Sequence, residues 1–113
     1  MQKKHINFEI QLDAQNVPTR IQWQASDKPG NTSSETKAVN IALWDAHEKN
    51  TLSIYLWTKD MPVHEMKRFY IDCLGGMAQS ILRATGDSFF ADQTHELCER
   101  LVEHLRRESS GKD

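Results

Sequence analysis

Two short stretches hold the residue types from which a catalytic or metal site could be built. In "TKDMPVHEM", Thr58 to Met66, a Lys-Asp pair and a His-Glu pair flank a proline, which puts bases and acids within one loop. A helical zinc pair would need a second histidine four residues after His64, and that position is Arg68. In "HELCERLVEH", His95 and Cys98 are one helical turn apart and could in principle hold a metal, but Cys98 falls on an apolar stripe and His104 lies nearly two turns beyond it. A buried thiol with two flanking histidines accounts for the same residues. Ser80 lies at the edge of a helical stripe without the G-x-S-x-G context of a hydrolase nucleophile. The Gly75-Gly76 pair falls inside a continuous helical pattern, so it is no phosphate-binding loop; either close approach of another backbone at Gly76 or plain tolerance explains it. No catalytic residue, metal ligand or cofactor site is assigned, and the reading is of a protein that is not an enzyme.

The same loop has a structural reading. Asp60 can cap the first turn of a following helix, Pro62 is tolerated where early helical amides lack partners, and Glu65 sits at the favourable end of the helix dipole. On this reading "TKDMP" joins a strand to a helix.

The chain of 113 residues suits one domain, residues 1–113, with a core that needs no disulfide or metal. Fourteen basic and sixteen acidic residues give a formal charge of −2, with no basic excess to draw the molecule to nucleic acid. No apolar run approaches the ~18 residues of a membrane span, and the N-terminal stretch has no continuous apolar segment of a secretion signal. Cys73 and Cys98 are expected as buried free thiols in a reducing cytoplasm.

Ile6, Phe8, Ile10 and Leu12 alternate with polar residues, and Ile21, Trp23 and Ala25 resume the pattern, which predicts a hairpin. The segment Asp27–Thr36 reads as a loop. A second hairpin follows: pairing Val39 with Leu56, Ile41 with Ile54 and Leu43 with Leu52 keeps six apolar residues on one face, and a slip by one residue would bury Asn40 and Ser53. From Pro62 the period becomes 3.6, with Met66, Phe69, Tyr70, Cys73, Met77, Ile81 and Ala84 on one stripe. Gly86 ends that helix, and Asp87 or Ser88 caps a second, which buries Phe90, Leu97, Cys98, Leu101, Val102 and Leu105. The expected fold is α+β in the order ββββαα: a four-stranded antiparallel sheet over residues 5–58, helices over 62–85 and 88–107 packed on one of its faces, and a frayed tail over 108–113.

Alternation then sends Trp44, Tyr55 and Trp57 to the other face of the sheet. Either the Asp27–Thr36 loop covers them, or they form an aromatic patch for self-association or partner binding.

The strings "LWDAHEKNTLSIYLWTKDMPVHEMKRFY" and "MAQSILRATGD", together with the earlier "VPTRIQWQASD", resemble the gliding-motility protein C (GldC) family of gliding bacteria. The resemblance implies a small cytoplasmic accessory protein of the gliding machinery with protein partners in motility or secretion, and supplies no catalytic residue. The ββββαα order is also similar in topology to SecB-type export chaperones, which gives an alternative reading as a peptide binder for exported proteins.

Overall fold

The computed structural model describes residues 2–27 and 34–110. They form five strands and two helices: β1 (Ile6–Leu12), β2 (Pro18–Ala25), β3 (Ser34–Thr36), β4 (Ala38–Trp44), β5 (Thr51–Trp57), α1 (Val63–Thr85) and α2 (Ser88–Ser109). These fall into two compact units, Met1–Met61 and Pro62–Asp113. The α+β class and antiparallel pairing are as the sequence predicts, but the single four-stranded sheet is not. One sheet has the order β1-β2-β3 and a second consists of β4 and β5. The chain bends at Lys37, between β3 and β4, so the strand that pairs with β2 changes partner and continues against β5. The Asp27–Thr36 loop is shorter than expected, because Ser34–Thr36 pairs with Trp23, Gln22 and Ile21. That strand has no apolar residue and hence no alternation to betray it. The rest of the loop, residues 28–33, lies outside the described residues.

In the first hairpin the apolar residues pair with each other: Ile6 with Ala25, Phe8 with Trp23 and Ile10 with Ile21. The turn is tied by Asp13, whose Oδ1 accepts the amides of Gln15 (2.9 Å) and Val17 (3.0 Å) while Asn16 takes a left-handed φ of 64°. The other Asp13 oxygen accepts Lys59 Nζ at 2.8 Å. Chiefly that ammonium, with the backbone amides, lowers the Asp13 pKa from 3.8 to about 2.

The buried residues of the sheet unit are Ile21 and Thr58, both fully buried, and Val39. The Thr58 amide donates to Lys37 O (2.8 Å), and its hydroxyl donates to Asp60 Oδ1 (2.7 Å). Asp60 Oδ2 accepts Lys37 Nζ at 3.1 Å. Asp60 is therefore not the helix cap. Pro62 occupies that position without a side-chain bond, and its carbonyl accepts the amides of Glu65 (3.1 Å) and Met66 (3.0 Å). The carboxylate finds a hydroxyl and an ammonium within its own unit, and both hold its pKa below the ordinary value.

In the helical unit, α1 ends at Gly86 in the left-handed region (φ 72°), whose amide donates to Leu82 O. Asp87 caps α2 by accepting the Phe90 amide at 3.2 Å. The most buried residues of the two helices are small (Ala78, Ala91 and Cys98), and larger apolar residues such as Phe69, Ile71, Leu74, Ile81, Leu101 and Leu105 are half-buried around them. The Cys98 thiol donates to Ile71 O on the facing helix at 3.9 Å. Of the expected α1 stripe, Met66, Phe69, Cys73 and Ile81 are half-buried, whereas Tyr70, Ala84 and Met77, which is 56% exposed, are not. Of the expected α2 stripe, Cys98 is buried and Leu101 and Leu105 are half-buried, while Phe90, Leu97 and Val102 are exposed. The stripes therefore miss Ala78 and Ala91, the most buried alanines of the two helices. An alanine adds little to a hydrophobic pattern, so that face is faint in sequence. α2 extends to Ser109, two residues into the tail expected to fray, whose residues 111–113 lie outside the described residues, and Glu108 is held by Lys67 Nζ at 2.9 Å from both oxygens. A Cβ added at Gly75 or Gly76 would meet nothing within 4 Å, so no backbone approaches closely there.

Three outcomes follow from these contacts. Thr58→Val should lower unfolding stability by about 0.5–1.5 kcal/mol through loss of a buried hydrogen bond, read by chemical denaturation; an unchanged midpoint would remove Thr58 from this role. Because the folded-state pKa of Asp13 is depressed, its contribution to stability is complete above 3.8 and fades as pH falls toward 2. The gap in denaturation midpoint between the wild type and Asp13→Asn should therefore be open at neutral pH and narrow in acid. Neither cysteine is in a disulfide, and Cys98 is buried while Cys73 is half-buried, so a thiol reagent should label Cys73 well before Cys98 in native protein and both rapidly in denaturant.

Candidate functional site

The second hairpin is built by its turn. Asp45 Oδ2 accepts the amides of His47 (3.1 Å) and Glu48 (2.6 Å), and Lys49 adopts a left-handed φ of 54°. Lys49 N then donates to Asp45 O, and Asp45 N to Asn50 O, both at 2.9 Å. This closure sets the expected register: Val39 with Leu56, Ile41 with Ile54 and Leu43 with Leu52. The other face carries Ala38 opposite Trp57, Asn40 opposite Tyr55, Ala42 opposite Ser53 and Trp44 opposite Thr51.

Each aromatic ring thus faces a small or short side chain across the ladder. Trp44 is 68% exposed, Tyr55 56% and Trp57 45%. Trp44 and Trp57 stand at opposite ends of the hairpin, and a strand of this length separates them by about 20 Å. The three rings form a row rather than a cluster. Leu43, Leu52 and Ile54, assigned by alternation to a buried face, are exposed too. The hairpin is apolar on both sides.

The other candidate residues do not assemble. His64 lines an open cleft of about 760 Å³ in the helical unit, with an apolar floor of Val63, Val102 and Leu105 and with Arg68 and Arg106 on its rim. Glu65 is not part of that lining, so the His-Glu pair of the sequence makes no acid-base couple there. His95 is exposed while Cys98 points into the helix seam, and His104 Nε2 lies 3.6 Å from Glu108. Ser80 is exposed on α1. Among the described residues no group of three or more His, Cys, Asp or Glu side chains could hold a metal ion, and no helix is long and apolar enough to cross a membrane. The reading of the residues missed the cleft, whose lining comes from the start of α1 and the end of α2, about forty residues apart in sequence.

The model of the GldC-like family, described as gliding motility-associated protein GldC-like, matches residues 18–107. The matched region runs from the start of β2 into α2 and includes the whole aromatic hairpin. No curated protein and no solved structure matches the chain. The match spans most of the sequence, and the chain belongs to the GldC-like family of gliding motility-associated proteins.

Proposed function

We propose that this chain is a cytoplasmic accessory protein of the bacterial gliding machinery that works by protein–protein contact and not by catalysis. One observation carries the reading: the row Trp44, Tyr55 and Trp57, exposed on a hairpin whose strands contain no charged residue. Exposed aromatics with small neighbours offer large contact area at low entropic cost, and such residues are enriched among the anchors of protein interfaces. Membership of a gliding motility-associated family supports assigning that contact to gliding. The partner belongs to the motility or secretion apparatus, and no nucleic acid, membrane insertion or cofactor enters the reading.

A chaperone-like role for exported proteins is the second reading. The exposed apolar row Ile6, Phe8, Ile10 and Leu12 on β1 favours it, since an unfolded client binds through extended apolar surface. The two readings separate on breadth. A chaperone suppresses aggregation of several unrelated unfolded chains, whereas an accessory protein captures a defined partner.

The deciding experiment is a pull-down from gliding cells with the wild-type chain and with the double variant Tyr55→Ser, Trp57→Ser. Loss of two anchors should weaken a defined contact by about 2 kcal/mol or more and leave the helical circular-dichroism signal intact. Full retention of the captured partner by a folded double variant would place the contact elsewhere.

A further inference from the structure

Among the described residues no strand pairs with the outer edge of β5 from Thr51 to Trp57, and only beyond that stretch does the Lys59 amide donate to Pro18 O at 3.0 Å. The hydrogen bonds Thr58 N–H to Lys37 O (2.8 Å) and Asp45 N–H to Asn50 O (2.9 Å) mark residues 37 with 58 and 45 with 50 as bonded positions of the ladder. An antiparallel ladder alternates bonded and non-bonded pairs, so Val39–Leu56, Ile41–Ile54 and Leu43–Leu52 are the bonded pairs between them. Leu52, Ile54 and Leu56 therefore direct their backbone groups at β4. Thr51, Ser53, Tyr55 and Trp57 direct theirs outward, where no strand pairs among the described residues. Natural edges are blunted by charge, proline, a bulge or short length. β5 has seven residues, no charge, no proline and an unbroken register. A two-stranded hairpin is also marginal in water without more strands or a cover.

We infer that β5 pairs with β5 of a second copy of this chain, antiparallel about a two-fold axis through Ile54, to give one four-stranded sheet in the order β4-β5-β5-β4. The strand is self-complementary in this register. Every outward N–H and C=O of Thr51, Ser53, Tyr55 and Trp57 meets an opposite group of the second copy. Ile54 faces Ile54, Leu52 faces Leu56, Tyr55 faces Ser53 and Trp57 faces Thr51. No pair opposes two charges or two large rings. The long edge of β1 lacks this property. The bond from Ser26 N–H to His5 O (3.0 Å) fixes its parity, and full overlap of Ile6–Leu12 with itself would set Glu9 against Glu9. The axis through β5 brings the aromatic rows of both copies onto one continuous surface. The pairing needs only this chain, so it stands or falls separately from the recognition of a motility partner.

The test uses the purified full chain. Light scattering and sedimentation should show a dimer that dissociates on dilution. The central Ile54 pair is non-bonded, with Cα atoms about 4.5 Å apart, which suits a disulfide. Mild oxidation of I54C should therefore give a covalent dimer whose bridge joins position 54 of both copies by peptide mapping. S53P removes an outward donor from each copy without touching the ladder to β4, and should raise the dimer dissociation constant roughly tenfold or more. A chain that stays monomeric at the highest attainable concentration overturns the inference. So does a dimer in which I54C forms no 54-to-54 bridge, or one in which folded S53P associates as the wild type does.

Discussion

The sheet unit depends on one buried polar residue. Thr58 is the last position at which β5 reads against the bent strand, and it is fully buried. A hydroxyl and an amide removed from water are costly unless both are bonded, and here Lys37 O and Asp60 Oδ1 satisfy them. Those bonds fix the point where the strand leaves β2 and joins β5. Around them runs a chain of exposed ion pairs, with Glu35 between Arg20 Nε (3.1 Å) and Lys37 Nζ (3.5 Å), and Lys37 in turn on Asp60. Each such surface pair contributes little by itself. The buried threonine is the more consequential element, because breaking its bonds leaves polar groups without water or partner. Lys59, the next residue, extends the tie: its amide donates to Pro18 O at 3.0 Å and its ammonium holds Asp13.

The consequence of the bend is a hairpin with two apolar sides. In a wide sheet, alternation gives one buried and one solvated face. β4 and β5 instead carry aliphatic residues on one side and aromatic residues on the other, with only Asn40, Thr51 and Ser53 as polar relief. Such a composition is costly to leave in water, which is why an exposed patch of this kind reads as an interaction surface. The matched region of the GldC-like family, residues 18–107, includes this hairpin. In the helical unit Ala78, Ala91 and Cys98 are the most buried residues, larger apolar residues such as Phe69, Leu74 and Leu101 are half-buried, and Met77 and Phe90 are exposed.

Local chemistry was legible in the sequence wherever one residue type has one dominant physical role. Alternation fixed the register of the second hairpin, because a slip by one residue exchanges the faces. Gly86 and Asp87 marked the helix junction, because few residues accept a left-handed φ or cap a free amide as well. The same alternation separates Trp44, Tyr55 and Trp57 from the aliphatic row. Tertiary structure alone decided the rest. The split into sheets of three and two strands arises at Lys37, whose side chain carries no signal for a bend, and β3 is a strand only because β2 offers it an edge. Asp60 had two possible uses, a free helical amide or the hydroxyl and ammonium of its own unit, and only the folded chain shows which donors come within reach. Within the helices only the folded chain shows that Ala78 and Ala91 are more buried than Met77 or Phe90, because burial is a property of two packed surfaces that no single stripe of residues encodes.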